Sequence, residues 1–194
     1  MARMEPFASR IDLGAGTLET AAAIIQRKLS DMRSAYADEA AVEQILAAEG
    51  DRLIYEVRAA GIDEVEGHIP HSTTVIQPGR VGDEFHMTKG HFHVKRDRAE
   101  IYLCLAGQGQ LILQAEDGTV RTVAMERGTV AYVPPSWAHR TANTGDRPFA
   151  FFAAWPGDAG HDYGTIEASG FAKILVLRDG EAVLVDNPRR GGRP

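Results

Sequence analysis

Gly90-His91-Phe92-His93-Val94-Lys95-Arg96-Asp97-Arg98-Ala99-Glu100-Ile101-Tyr102-Leu103-Cys104-Leu105-Ala106-Gly107-Gln108-Gly109 is the stretch around which the rest of the chain is organised. Successive side chains of an extended strand alternate between faces, so His91 and His93 project to the same side and can hold one metal ion between them. Two imidazoles alone bind a metal weakly, so the pair needs company. Glu100 is the third candidate ligand: it opens an apolar run that reads as a strand, with Tyr102 two residues on, and the polar stretch 94–99 before it reads as a loop. A fourth comes from Gly128 to Asn143, where Gly128, Pro134, Pro135 and Trp137 mark a strand, a proline-rich bend and a returning strand. That return brings His139 round to face the pair.

Working outward, the chain has 194 residues, enough for one domain with a sizeable core. Before Gly50, alanine-rich segments place apolar residues at helical spacing: Ala22, Ile25 and Leu29, then Ala41, Ile45 and Leu46. Helices are therefore expected over Thr17 to Leu29 and Glu39 to Ala48, the second ended by Gly50. Residues 1–50 are expected to be a helical segment packed on the barrel or on a dimer face.

After Gly50 the texture changes to nine short β-type runs: Leu53 to Val57, Thr73 to Ile76, Ala99 to Leu105, Gly109 to Gln114, Thr119 to Val123, Thr129 to Val133, Pro148 to Ala154, Ala172 to Leu177 and Ala182 to Val185. Turn pairs such as Asp117-Gly118 and Asp179-Gly180 separate them, the pattern of an all-β sandwich or barrel over 51–188. Residues 189–194 are expected to be a flexible tail. The formal charge of −6 argues against general affinity for nucleic acid or anionic membranes. Cys104 is the single cysteine, so no internal disulfide forms and a reducing cytoplasm fits. No secretory signal and no membrane-spanning run are read from the sequence. Exposed strand edges point to a homodimer.

The spacing of these residues resembles that of the cupins. Their first motif, G-x5-H-x-H-x(3,4)-E-x6-G, is matched by His91, His93, Glu100 and Gly107, with a longer His-to-Glu interval and Phe85 where the opening glycine would stand. Their second, G-x5-P-x-G-x2-H-x3-N, is matched by Gly128, Pro134, His139 and Asn143, with Ser136 in place of its inner glycine. The runs Met87 to His93, Tyr132 to Thr141 and Ala159 to Ile166 resemble one branch, the cupin-type glucose-6-phosphate isomerases, in which the longer interval is usual. The likeness runs from about Tyr55 to Arg189.

The resemblance implies a double-stranded β-helix, or jelly-roll barrel, and an aldose–ketose isomerase of glucose 6-phosphate and fructose 6-phosphate acting through a metal-stabilised enediolate, in glycolysis or gluconeogenesis. Three neutral imidazoles and one carboxylate suit a divalent first-row ion and leave positions open for substrate. Iron(II), manganese, nickel and zinc are all compatible; the family implies one iron(II) per subunit. By the same resemblance Tyr55, Thr74, Thr88, the Gly90 amide and Tyr163 would grip the phosphate. Two family aromatics are replaced, by Arg98 and Trp155, and Arg98 is expected to strengthen phosphate binding. Glu100 is the family's proposed base, but a carboxylate bound to a cation accepts a proton reluctantly, so His161 competes as the acid–base group, with Tyr102 orienting substrate hydroxyls. Other readings of the residues are isomerisation of another phosphosugar, an iron-dependent dioxygenase, and a non-catalytic sugar-phosphate-binding module.

Overall fold

All nine runs after Gly50 form strands in the computed structural model, which describes residues 4–190. The elements in chain order are β1 (Ile11–Asp12), β2 (Thr17–Leu18), β3 (Ala23–Lys28), a 3-10 helix (Leu29–Ala35), α1 (Glu39–Glu49), β4 (Leu53–Ala59), β5 (His71–Ile76), β6 (Arg80–Val81), β7 (Glu84–Phe85), β8 (Glu100–Ala106), β9 (Gln108–Ala115), β10 (Val120–Glu126), β11 (Val130–Val133), β12 (Trp137–Asn143), β13 (Phe149–Ala154), α2 (Tyr163–Ser169), β14 (Lys173–Arg178) and β15 (Glu181–Asp186).

Two sheets enclose the core. One has the order β11-β8-β13-β5-β4-β3, the other β10-β9-β12, and every pairing in them is antiparallel. Consecutive strands β8 and β9 lie in different sheets. Gly107, at φ +72°, makes the corner between them, where an added Cβ would sit 2.4 Å from the Pro148 carbonyl oxygen. This order is a jelly-roll barrel rather than a simple meander. Tyr102, Cys104 and Phe151 from the larger sheet meet Leu111, Leu113 and Ala138 from the smaller in one apolar cluster. The alternation that buries them is visible in β11, where Ala131 and Val133 face inward and Val130 and Tyr132 face out. The segment before His93 runs along β12, the edge of the smaller sheet: Met87 bridges Ala142, and His91 bridges His139.

The N-terminal expectation needs correction. Thr17 to Leu29 is not a helix but β2, β3 and the start of the 3-10 helix. β3 pairs with β4 from Ala23↔Ala59 to Lys28↔Leu53, so this part of the segment is the edge strand of the barrel sheet itself. Backbone pairing with β4 outweighs a weak helical spacing whose apolar members are largely exposed. The second helix is as expected: Asp38 accepts from the Ala41 amide at 2.9 Å at its start, and Gly50 ends it at φ +83°. Arg189, assigned from the sequence to a flexible tail, is tied down instead. Its Nη1 donates to the Tyr36 carbonyl at 2.7 Å and its Nη2 pairs with Glu39 at 2.7 Å. The Arg190 amide donates to the Asn187 carbonyl at 3.1 Å, and 191–194 lie outside the described residues. No helix among the described residues is long and apolar enough to cross a membrane.

Candidate metal centre and active site

Pairing geometry explains how four distant residues meet. The His91 amide donates to the His139 carbonyl at 3.2 Å and the His139 amide to the His91 carbonyl at 3.0 Å. Residues exchanging both bonds lie directly opposite and share a face, so the two imidazoles stand together, with ring centroids 4.5 Å apart. His93 follows two residues later, and Glu100 is the first residue of the adjacent β8. The ligand atoms of His91, His93, Glu100 and His139 all lie within 4.8 Å of one another. Arg96 braces this corner: it donates to the His93 carbonyl, pairs with Asp162 at 2.7 Å and lies over the Phe92 ring at 4.4 Å.

The protonation of the cluster tests its fitness for a cation. His93 Nδ1 lies 2.9 Å from the Arg98 carbonyl and His139 Nδ1 lies 3.3 Å from the Trp137 carbonyl. A carbonyl only accepts, so each Nδ1 carries the proton, and in the neutral ring Nε2 is then a lone pair. Those Nε2 atoms face Glu100 Oε2 at 3.2 and 3.0 Å. Acceptor thus faces acceptor in a site where all three side chains are at most 5% exposed, and the Nε2 atoms of His91 and His139 have no hydrogen-bond partner. Buried lone pairs converging on one point fit a divalent first-row ion. Burial, reinforced by the neighbouring imidazoles, holds the His91 imidazole well below its ordinary pKa. Burial would raise the Glu100 carboxyl, but His139 and His93 outweigh it and bring it down to about 2. Burial would lower the His93 imidazole, but Glu100 and the Arg98 carbonyl outweigh it and leave it raised, because a proton added at Nε2 would relieve the opposed acceptors as a cation does.

The cluster opens into a cavity of about 580 Å³, counting its mouth. Strand periodicity selects its lining: Tyr55 and Val57 from β4, Ser72 and Thr74 from β5, Glu100 and Tyr102 from β8, Phe151 and Ala153 from β13. Thr88, Lys89, Gly90, His161 and Tyr163 complete it, with Trp155 just beyond β13. All the site residues read from the sequence except Arg98 and His93 therefore border one space, and His93 is joined to it through its cluster partners His91, Glu100 and His139.

Hydroxyl donors dominate the wall away from the cluster. Thr88 Oγ1 accepts from the Thr141 amide at 3.0 Å, which leaves its own O–H to donate. Burial, with Tyr163 nearby, pushes Tyr55 up to about 12. Burial likewise raises Tyr163, and with Glu100 nearby it raises Tyr102 well above the usual phenol range, so all three remain donors at neutral pH. The His161 ring lies between Tyr163, nearly parallel at 6.1 Å, and Trp155, edge-on at 5.7 Å. Burial lowers its pKa despite Glu64 and Glu100, and Nδ1 lies 3.7 Å from Glu64.

Arg98 is a correction. It does not border the cavity; Nε and Nη2 hold Asp158 at 2.9 and 2.7 Å, and Lys95 holds the same carboxylate at 2.6 Å. With its fork on Asp158 and Nη1 on Asp97 at 2.9 Å, the guanidinium is held outside the cavity, so the expected contribution to phosphate binding is withdrawn. Ser72 was missed; its position two residues before Thr74 on one strand was the available signal. α2 was also missed, although Asp162 caps it by accepting from the Thr165 amide at 3.1 Å and Gly170 closes it.

An antiparallel jelly-roll barrel with three imidazoles and a carboxylate gathered in its mouth, on the two motifs described above, is a cupin. More narrowly, the chain belongs to the glucose-6-phosphate isomerase family, whose model matches residues 26–190. That match takes in 26–50, where the motifs had shown no likeness. The glucose-6-phosphate isomerase of Pyrococcus horikoshii is 51% identical over 185 residues, covering 95% of this chain and 97% of its own length. The same enzyme of Thermococcus litoralis is 51% identical over 185 residues, covering 95% and 96%. The Sinorhizobium medicae enzyme is 38% identical over 177 residues, covering 91% of this chain and 83% of its own.

Proposed function

We propose that this chain interconverts glucose 6-phosphate and fructose 6-phosphate, with one divalent ion per subunit, iron(II) foremost, held by His91, His93, Glu100 and His139. The observation that carries the reading is that the four-donor cluster and a set of O–H and N–H donors open into the same cavity. A bound ion supplies Lewis acidity to the oxygens on carbons 1 and 2 of the open-chain sugar as negative charge develops there.

The chain's own residues do the rest. Thr88, Tyr55, Thr74, Tyr163 and the Gly90 amide bind the phosphate, and because it is remote from the reacting carbons its binding energy holds the sugar extended toward the cluster. Glu100, whose Oε2 is shared between two imidazole nitrogens, stays with the cluster. His161 borders the cavity outside that cluster and carries the proton between carbons 2 and 1. Tyr102, stacked on Phe151 at 4.8 Å, orients the sugar hydroxyls. The enzyme is proposed to work in the cytoplasm as a homodimer, with the exposed Ile24 and Ile25 of edge strand β3 and Val130 and Tyr132 of edge strand β11 as candidate contacts.

The test is a coupled assay on fructose 6-phosphate before and after EDTA, then with iron(II), manganese or zinc restored. Activity should vanish with chelation and return with metal. Full activity in metal-free protein would refute the role of the cluster, and no turnover with any metal would refute the reaction.

A further inference from the structure

The Lys89–Gly90 peptide is a wall between two cavities. In front lies the one just described; behind it lies a second, of about 610 Å³ counting its mouth, bordered by Tyr36, Arg140, Phe171 and α2. Lys89 and Gly90 border both. Three consecutive residues of β12 clamp this wall. His139 exchanges both backbone bonds with His91, Thr141 accepts from the Thr88 amide at 2.9 Å and donates to the Thr88 hydroxyl, and Arg140 between them donates from Nη2 to the Lys89 carbonyl at 3.0 Å. Strand alternation puts Arg140 on the opposite face from His139, behind the wall rather than in front of it.

The orientation of that peptide decides what the front cavity meets. No peptide bond among the described residues is cis, so the Lys89 C=O and the Gly90 N–H point in opposite directions. With the carbonyl turned back to Arg140, the amide is turned forward. Gly90 has φ +77°, and half-turning the peptide would carry that φ into the negative region, which glycine adopts just as readily. Glycine therefore permits both orientations and selects neither. In the flipped one a carbonyl oxygen would face the front cavity and repel an anion.

We propose that Arg140 is a positioning residue, which locks the Lys89–Gly90 peptide so that an N–H donor and not a carbonyl oxygen faces the substrate phosphate. The inference rests on the phosphosugar reading above. Arg140 is itself held rigidly: it is 4% exposed, lies over the Phe171 ring at 4.0 Å and sets Nη1 against Met87 Sδ at 2.9 Å. Burial lowers its pKa to about 10, and Glu84 is the foremost group opposing that fall.

The test compares wild type, Arg140→Met, the Arg140→Met/Glu84→Gln pair and Thr88→Val. The double variant removes with the guanidinium the buried Glu84 carboxyl that Arg140 helps to ionise, and so keeps the test open if Arg140→Met alone does not fold. The readouts are KM and kcat for fructose 6-phosphate, the inhibition constant of inorganic phosphate, and metal content per chain. In the folded variants KM and the phosphate inhibition constant should rise together by roughly tenfold or more. Saturated kcat should stay within about threefold and metal content should be unchanged. Thr88→Val weakening phosphate binding while the Arg140 variants keep wild-type KM would overturn the proposal and leave the phosphate grip standing. Loss of metal or of kcat at unchanged KM would assign Arg140 to His139 instead and also overturn it. A wild-type protein that neither turns over fructose 6-phosphate nor is inhibited by phosphate would overturn the phosphosugar reading, and this inference with it.

Discussion

Replacing Gly90 with alanine separates two demands that meet at one residue. The first is conformational: φ +77° is left-handed, where a side chain costs about 1–2 kcal/mol. The second is spatial. An added Cβ would lie 2.8 Å from Phe171 Cε2, 2.9 Å from Arg140 Cβ and 3.0 Å from the His139 carbonyl oxygen. None of the three can swing away, since two are close to or part of the backbone and the ring is pinned under Arg140, so overpacking adds about 1–3 kcal/mol. The total, about 2–5 kcal/mol, corresponds in a domain of this size to a Tm lowered by about 5–15 °C. Gly128→Ala is the control: its φ is +90° but an added Cβ meets nothing within 4 Å, so only the conformational cost applies. Thermal unfolding of both variants, metal-free and metal-loaded, measures the difference. Because the crowded oxygen belongs to His139, Gly90→Ala should also gain less from added metal than wild type. A Gly90→Ala protein melting within about 2 °C of wild type, or no lower than Gly128→Ala, would refute the reasoning.

Other substitutions test other parts of the structure. His139→Ala removes one of four converging donors and should weaken metal binding by more than about a hundredfold while leaving strand content intact, as read by metal analysis and circular dichroism. Arg98→Ala should leave KM for fructose 6-phosphate within about twofold of wild type, because its guanidinium is held by Asp158 outside the cavity; a tenfold rise would restore it to the phosphate site. Burial pushes the Glu84 carboxyl up to about 7 from an ordinary 4.5, with the Ala37 amide and Arg140 opposing. A carboxyl raised on folding disfavours the folded state once it must ionise, so its penalty is absent below about pH 4.5, grows as pH rises and is complete above about 7. Glu84→Gln should therefore remove a fall in stability between those limits, by up to about 3 kcal/mol, seen in denaturant titrations at pH 5 and pH 8. A variant with the wild-type slope would contradict that assignment.

The site was more legible than its surroundings because its information is local. His91 and His93 need only an extended backbone to share a face, and Glu100 and His139 lie at motif distances that survive the longer loop. Arg98 shows the limit. It sits two residues before Glu100, close to the site by any count along the chain, yet its direction is set by Asp158, sixty residues on. Spacing places a loop residue without aiming it. The misread helix at Thr17 to Leu29 has a similar origin: the apolar spacing was real, but its partner strand, β4, begins only at Leu53. The clamp of β12 on the Lys89–Gly90 wall was invisible for the same reason. Arg140 stands beside a candidate metal ligand in sequence and on the opposite face of the strand in space.

Ser136 stands where the second cupin motif has glycine, and its φ is +67°. Its amide still donates to the Arg96 carbonyl, at 2.6 Å, across the proline-rich bend. The residue departs from the motif while its dihedral is one that glycine adopts freely, so this chain carries a strain of about 1 kcal/mol at an exposed turn. A pattern written in residue letters scores that position as a mismatch; one written as a positive φ would admit it. Distant members of such a family are better sought by the shape each position must take than by the amino acid that takes it most easily.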